Sequence, residues 1–258
     1  MRLTVLGGSA AAPNAGDACS GYLLETGQAR IVLDLGPGAF AQLRRHSNYR
    51  TLSAIVVSHL HADHILDLLT LRNAFAYNPV PADCRVPLWL PPNGSHMLDQ
   101  IAGVFAGNDS EATYFSDYFA INVYDPAETL SIADAILHFA PTVHYVPCWA
   151  IRVTHEKSSR CLAYTADTGP SAKLDRLIEG AQLLIAEATL REPNHEPFEE
   201  RGHLTAAEAA QLAQRTGVET LVLTHTFDER GPDLLRQDAA AVFAGQIVVA
   251  RSGTVIEW

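Results

Sequence analysis

The amino-acid sequence predicts an α/β fold in which helices cover an internal sheet. Short apolar runs rich in Val, Ile and Leu repeatedly end at a polar residue, and such runs are typical of buried strands. They occur in both halves of the chain, at residues 3–6, 31–33, 55–57, 162–164, 183–186 and 221–223. Chemistry is therefore expected at strand ends, where loops converge on a rigid sheet.

Segments with helical spacing lie between these predicted strands. Residues 66–76, 172–180 and 205–216 combine this spacing with good helix formers. Gly180 and Gly217 are placed as stop signals, and Thr205 with Glu208 forms a capping-box pattern. No low-complexity linker separates the two halves, so we expect residues 1–258 to form a single domain.

The least regular stretch of the sequence is residues 91–129. Two interpretations stay open: a lid or a contact between the subunits of a homodimer, and an irregular excursion with a small core of its own. Its aromatic residues stand among Gly, Asn, Asp and Ser; they are Phe105, Tyr114, Phe115, Tyr118 and Phe119.

Composition limits the compartment and the partners. The chain has 18 Lys and Arg against 29 Asp and Glu, a formal charge of −11, which disfavours a large RNA partner. Its N-terminus lacks the layout of a secretory signal, and no apolar run approaches the roughly 18 residues that span a bilayer. We expect a cytoplasmic protein without membrane contact. Reduced thiols are expected at the widely spaced Cys19, Cys84, Cys148 and Cys161.

The strongest chemical signal is the run HLHADH at residues 59–64, directly after the apolar stretch AIVVS. In an extended chain His59 and His61 point the same way and can face one metal ion. If a helix begins near residue 62, Asp63 and His64 turn toward a second position close by. Imidazole and carboxylate are the ligands that zinc takes where no thiolate is offered. Chance would produce this cluster in roughly one sequence in a thousand.

Further ligands must come from other parts of the chain, because two metal ions need six or seven protein ligands. His144, Asp167 and His225 are polar residues near other predicted strand ends. Each is a weak signal alone, but together they complete the count. The remaining isolated histidines are expected to be surface or structural residues: His46, His96, His138, His155 and His195.

In order along the chain, HLHADH, His144, YTADTG, GHLTAAEA and VLTHTF resemble the motifs of the metallo-β-lactamase superfamily, specifically its ribonuclease Z-like branch. The resemblance extends from LTVLGGSAAAP to LTHTF, which is nearly the whole chain. It implies a four-layer αββα sandwich with the site at one edge of two sheets. It also implies two zinc ions, with manganese as an alternative: His59, His61 and His144 would bind one ion, Asp63, His64 and His225 the other, and Asp167 both.

The resemblance implies roles for further residues. His203, in GHLTAAEA, would contact a nonbridging phosphate oxygen or protonate the leaving group; otherwise it is a surface residue at the start of a helix. Asp34 would orient a ligand histidine and Glu187 would hold His203, unless both are ordinary turn or strand-end carboxylates. Asp63 is expected to be essential for turnover as well as for metal binding.

These features predict a hydrolase in which hydroxide on a dinuclear metal centre attacks a small phosphodiester, such as a cyclic nucleotide or a short oligonucleotide. Two zinc ions, two aspartates and one hydroxide would leave a charge of about +1 to face the phosphate. Ribonuclease Z proper has a long RNA-gripping arm between the positions of His144 and Asp167. Here 22 residues separate them, which predicts a simple hairpin with strands near residues 148–153 and 160–164.

Four alternatives stay open. A tRNA 3′-processing endonuclease of the ribonuclease Z type is disfavoured by the missing arm. A lactone, thioester or β-lactam hydrolase would use the same chemistry on a carbonyl, although His203 favours a phosphate. An iron-loaded oxidoreductase is disfavoured because the flavoprotein branch typically has Glu at the position of His61. A noncatalytic metal-binding protein is disfavoured by the complete ligand set.

Overall fold

The computed structural model describes residues 1–80 and 84–258. One seven-stranded sheet is built mainly from the N-terminal half of the chain. Its strands are β1 (Arg2–Gly7), β2 (Gly21–Glu25), β3 (Arg30–Leu35), β4 (Ala54–Val56), β5 (Val86–Leu90), β6 (Phe119–Val123) and β14 (Val255–Glu257). Their order across the sheet is β14-β1-β2-β3-β4-β5-β6, with β3 to β6 parallel to one another.

A second seven-stranded sheet comes from the C-terminal half. Its strands are β7 (Leu130–Ile132), β8 (Ala135–Pro141), β9 (Trp149–His155), β10 (Cys161–Tyr164), β11 (Leu183–Glu187), β12 (Thr220–Thr224) and β13 (Gln246–Val249). Their order is β13-β12-β11-β10-β9-β8-β7, and β10 to β13 run parallel. Strands β9 and β10 form the predicted hairpin.

Helices cover the outer faces of the two sheets. They are α1 (Ala39–His46), α2 (Ala62–Ile65), α3 (Asp67–Ala76), α4 (Gly94–Phe105), α5 (Asp175–Ile178), α6 (Ala206–Thr216) and α7 (Pro232–Ala240). The predicted capping box is present at the start of α6, where the Thr205 hydroxyl accepts from the Glu208 amide. The helix expected near residue 62 is present as α2, and α3 continues it.

Three layers of buried side chains separate four layers of secondary structure. Along β3, Ile31 and Leu33 pack between the two sheets, whereas Val32 faces the helices of the first sheet. Along β10, Leu162 points to the other sheet and Ala163 to the helices of the second. Because both faces of each sheet are covered, central strands such as β4 and β10 are continuous apolar runs. The predicted αββα sandwich is confirmed.

Parallel strands bring the polar strand ends together at one edge of the sandwich. Asp34 lies at the end of β3, and His59 follows β4 by three residues. In the second sheet, Asp167 follows β10 by three residues, and His225 comes directly after β12. The carboxyl ends of parallel strands point the same way, so four separate stretches of chain deliver side chains to this edge.

Two sequence expectations differ from the structure. The helix predicted over residues 172–180 is reduced to the single turn α5, because residues before it are held elsewhere: Leu174 is buried in the outer core and the Ser171 hydroxyl donates to the Glu199 carbonyl. Residues 91–129 are more regular than expected, since they contain α4 and β6.

The aromatic residues of this stretch do not form a separate core. Tyr114, Phe115 and Phe119 are buried in the layer between the first sheet and its helices. The proposal of a lid or a subunit contact for residues 91–129 stays a prediction.

Within residues 1–80 and 84–258, no helix is long and apolar enough to cross a membrane. All four cysteines are free thiols: Cys19, Cys148 and Cys161 are buried, and Cys84 is exposed.

A buried arginine attaches the 91–129 stretch to helix α3. Arg72 donates from Nε to the Tyr114 carbonyl at 3.0 Å and from a guanidinium nitrogen to Asp109 at 2.7 Å. Its guanidinium carbon lies 3.8 Å from the centre of the Tyr114 ring. A cation over an aromatic face gains further attraction when it is desolvated.

We predict that Arg72→Ala lowers the free energy of unfolding by about 2 kcal/mol, because it removes a buried charge and leaves its acceptors without a donor. Denaturant unfolding measures this change. The exposed Arg85, which donates to the Ser116 carbonyl of the same stretch, provides the control: Arg85→Ala should stay within about 0.5 kcal/mol of wild type. Equal stability of the two variants would contradict the anchoring role.

Candidate metal centre

The seven predicted metal ligands lie together at the edge of the sandwich. Three groups each place one ligand atom per residue within 4.8 Å of one another; two of them contain all seven predicted ligands, and the third joins His203 to Asp167 and His225. The first group is His59, His61, His144 and Asp167; the second is Asp63, His64 and His225. Their roles as ligands stay predictions, but the fold brings together all seven.

In the first group, three imidazole nitrogens converge on one point. Nδ1 of His61 lies 3.2 Å from Nε2 of His59 and 3.0 Å from Nε2 of His144. A tetrahedral zinc ion with Zn–N distances of about 2.0–2.1 Å would separate its nitrogen ligands by about 3.3 Å. The spacing of the three nitrogens therefore suits such an ion.

In the second group, Nε2 of His225 lies 3.0 Å from Oδ2 of Asp63, and Nε2 of His64 lies 3.6 Å from the same oxygen. Asp167 contacts both groups. Its Oδ2 is 3.7 Å from Nε2 of His59, and its Oδ1 is 3.5 Å from Nε2 of His64. A carboxylate in this position would be able to contact ions held by both groups.

Two buried polar atoms at the centre of this arrangement have no hydrogen-bond partner. They are Nε2 of His64 and Oδ1 of Asp167. An unpartnered buried polar atom costs about 1–3 kcal/mol, so native proteins seldom keep one without a function. Both atoms belong to predicted ligands, and a divalent cation would satisfy both. The residues present therefore fit a metal centre.

The pKa values of the first group favour neutral imidazoles. Burial lowers the pKa of His59, His61 and His144. For His59, the neighbouring His64 lowers the pKa further. A neutral imidazole has a lone pair for a metal ion, whereas a protonated one has none.

The two aspartates of the centre are held in the charged form. Burial alone would raise the pKa of Asp63, but its hydrogen bond with His225 and the charge of His64 bring the pKa below the usual range. Burial likewise opposes ionisation of Asp167, and His225 and His64 outweigh it. Both carboxylates are therefore available as anionic ligands.

Asp34 is fully buried beside this centre. One carboxylate oxygen accepts from the Ser58 amide at 2.7 Å. The other lies 2.8 Å from Nδ1 of His64 and accepts from the hydroxyls of Ser58 and Tyr164. The contact with Nδ1 fixes the ring so that Nε2 of His64 faces the centre.

His203 lies beside both ligand groups. Its ring centre is 5.0 Å from that of His144 and 5.6 Å from that of His225. Nδ1 of His203 is 2.8 Å from Oε1 of the fully buried Glu187. Burial alone would lower the pKa of His203, but the Glu187 carboxylate, with smaller contributions from Asp167 and Asp63, raises it to about 9. The ring is therefore protonated at neutral pH and is a hydrogen-bond donor.

Left-handed backbone conformations are concentrated at the centre. Asp34, Ala166 and His225 have φ angles of 56°, 51° and 53°. Ala11 has a φ of 54°, and its amide donates to Oδ2 of Asp63 at 2.9 Å. A non-glycine residue pays for this conformation, and such strain is typical of functional sites. The surrounding contacts hold these residues in this conformation, so that the side chains of Asp34 and His225 and the amide of Ala11 reach the ligand groups.

A family model for the beta-lactamase superfamily domain matches residues 29–226. The chain belongs to the beta-lactamase superfamily. It is 30% identical over 263 residues to the probable metallo-hydrolase YhfI of Bacillus subtilis, with 100% of both chains covered. The crystal structure of YhfI, described as a metallo-beta-lactamase fold protein, has a TM-score of 0.86 at 27% identity and covers 100% of this chain and 99% of that one.

Proteins with other described activities also match the whole chain. A ribonuclease Z of Haloferax volcanii is 25% identical over 302 residues, covering 100% of this chain and 95% of its own length. A diphosphatase of the PhnP family has a TM-score of 0.73 at 18% identity, covering 100% of this chain and 97% of that one. The second likeness concerns the fold alone.

Sequence analysis missed several residues that hold the ligands in place. Ser58 and Tyr164 donate to Asp34, and Thr189 links Oε2 of Glu187 to His225 through its hydroxyl, which lies 2.7 Å from Nδ1 of His225. Each stands within two residues of a motif residue or, for Tyr164, within the motif YTADTG. That proximity was the available signal. The five isolated histidines lie outside the ligand groups.

Asp34→Asn is predicted to weaken metal binding about 10- to 100-fold, because an amide nitrogen would face donors that need an acceptor and His64 would lose its orientation. Asparagine tolerates the left-handed backbone, so the chain should still fold. Chelator competition measures the affinity. Asp134→Asn, at a buried aspartate that contacts His155 away from the centre, is the control and should bind metal normally. Unchanged affinity in Asp34→Asn would contradict this role.

Proposed function

We propose that this member of the beta-lactamase superfamily is a metal-dependent phosphodiesterase that hydrolyses small phosphodiesters with two divalent ions, zinc or manganese. The observation that carries the proposal is the placement of His203, protonated by its contact with Glu187, beside two adjoining groups of predicted ligands. The chain is similar over its full length to a probable metallo-hydrolase, which supports the more general assignment as a metal-dependent hydrolase.

The ligand groups define the reacting face. His59, His61 and His144 would hold one ion, Asp63, His64 and His225 the second, and Asp167 would contact both. Divalent ions bound there would supply Lewis-acid activation of water and of the phosphoryl group. The protein contributes orientation: Asp34 fixes His64, and Thr189 fixes His225.

His203 provides a positive hydrogen-bond donor at the same face. Because Nδ1 faces Glu187, Nε2 is left for the substrate. From there it can donate to a nonbridging phosphate oxygen, where charge increases in the transition state, or transfer a proton to the leaving oxygen. A phosphodiester is already an anion when it binds, whereas a lactone or a β-lactam is neutral, so a charged donor at this place suits the phosphodiester in the ground state as well as in the transition state.

The surroundings of the site favour a small substrate over a long RNA. The hairpin of β9 and β10 leaves no room in the sequence for an RNA-gripping arm. The segment 191–200 carries four glutamates, and Glu196 is tied to the wall of the site by a hydrogen bond from the Tyr145 hydroxyl at 2.7 Å. The Glu196 carboxylate would repel additional phosphates of an extended polyanion. The ribonuclease Z relative supports phosphodiester chemistry, while these features favour a shorter substrate.

The purified protein should hydrolyse bis(p-nitrophenyl) phosphate, lose this activity when metal is stripped, and recover it with zinc or manganese. Release of p-nitrophenol, together with metal content before and after stripping, measures the effect. Failure to hydrolyse the ester with two ions bound per chain would reject the phosphodiesterase proposal. Lactones and thioesters would then become the substrates to test.

His203→Ala should reduce the rate of the same reaction by about 10²-fold, as expected for loss of a general acid or of a charged donor. Metal content should remain that of wild type, because His203 is outside the predicted ligand set. His96→Ala, at an exposed histidine in α4, is the control and should keep full activity. An unchanged rate in His203→Ala would reject its role in turnover and leave it as a surface residue near the start of α6.

A further inference from the structure

Tyr145 places an exposed aromatic ring next to the proposed catalytic face. Its side chain is one of the most exposed large apolar groups of the second half, with 54% of the residue accessible. Its ring centre is 5.1 Å from that of His144 and 5.6 Å from that of His203. Exposing a large aromatic ring to water is unfavourable. This ring is next to the predicted ligand His144 both in sequence and in space.

Two contacts fix the orientation of this ring. The Tyr145 hydroxyl donates to Oε2 of Glu196 at 2.7 Å, across 51 residues of sequence. The ring also lies against the backbone of Gly202, where a Cβ would come within 2.8 Å of the ring carbons. Only glycine allows this close approach. The Gly202 carbonyl in turn faces Nδ1 of His144 at 2.9 Å, so the ring is positioned relative to the ligand group.

The charges around the ring restrict what it can bind. A tyrosine side chain is neutral at physiological pH, and the hydroxyl of Tyr145 donates to Glu196, so the ring is uncharged. The Glu196 carboxylate, which accepts from the Tyr145 hydroxyl, opposes a second phosphate next to the ring. A flat, neutral group attached to the phosphodiester meets no such repulsion, and every nucleobase offers a face for stacking on tyrosine.

On the basis of the proposed function, we propose that Tyr145 is a specificity-determining residue that stacks on the nucleobase of a nucleotide phosphodiester. His203 and the metal-ligand groups would take the phosphate, and the ring beside them would take the base. Glu196 and Gly202 act as positioning residues that hold the ring at this angle. The substrate class is therefore a nucleotide ester with a single phosphate.

Binding of adenosine 5′-monophosphate and of ribose 5-phosphate to the metal-loaded protein tests this proposal, since the two ligands share the phosphate and sugar and differ in the base. Calorimetric titration should show about tenfold tighter binding of the nucleotide to wild type, the usual contribution of one stacked base. Tyr145→Leu should lose this advantage while binding ribose 5-phosphate as wild type does. Tyr145→Phe keeps the ring and should retain most of it.

Equal affinity of wild type for the two ligands, or no measurable binding of either, would overturn the proposal. An unchanged preference in Tyr145→Leu would overturn it as well. Loss of the preference in Tyr145→Phe would assign the effect to the hydroxyl and Glu196 rather than to stacking. Hydrolysis of bis(p-nitrophenyl) phosphate by the same sample separates the two proposals: base preference without hydrolysis would reject the phosphodiesterase, and hydrolysis without base preference would reject only the role of Tyr145.

Discussion

The carboxylate of Asp34 is buried between the two sheets and accepts hydrogen bonds from residues of both sheets. Its partners are the amide and hydroxyl of Ser58, which follow β4 in the first sheet, the Tyr164 hydroxyl at the end of β10 in the second, and Nδ1 of His64. A buried carboxylate is costly unless its oxygens are hydrogen-bonded, so this one holds only if the sheets pack in this register. The same carboxylate orients a predicted ligand. Sheet packing and the geometry of the metal centre therefore depend on one side chain.

Three further carboxylates add buried negative charge at the same edge of the sandwich. Asp63, Asp167 and Glu187 lie within the same edge and are at most 8% exposed. Protonated His203 faces Glu187, but Oδ1 of Asp167 and Nε2 of His64 have no hydrogen-bond partner. Divalent cations would offset this negative charge and satisfy both atoms. Because a ligand that binds only the folded state stabilises it, metal binding and folding should be linked in this protein.

Features carried by neighbouring residues could be predicted from the sequence. Contacts between residues far apart in the chain could not. The run from His59 to His64 carries its own spacing, and α2 begins at residue 62 as that spacing requires. The partners of Asp34 are 24 to 130 residues away in sequence, and no local pattern joins Ser58 or Tyr164 to it. Helix α4 was missed because Gly94 and Gly103 weaken its helix signal. The helix expected over residues 172–180 is shortened to α5 because tertiary contacts of Leu174 override the local helix propensity.

A protein with a formal charge of −11 can act on an anion only if its field changes sign locally. His203 and bound cations would make the reacting face positive, while Glu196, which accepts from the Tyr145 hydroxyl, leaves a negative surface beside it. Charges separated by more than about 10 Å are largely screened at physiological salt, so a single phosphate at the centre is attracted by its immediate surroundings. The next phosphate of a long chain would meet the negative surface instead. If the substrate is the proposed phosphodiester, the same distribution would limit it to one phosphate with an uncharged remainder, and Tyr145 lies beside the predicted ligand His144, where that remainder would extend.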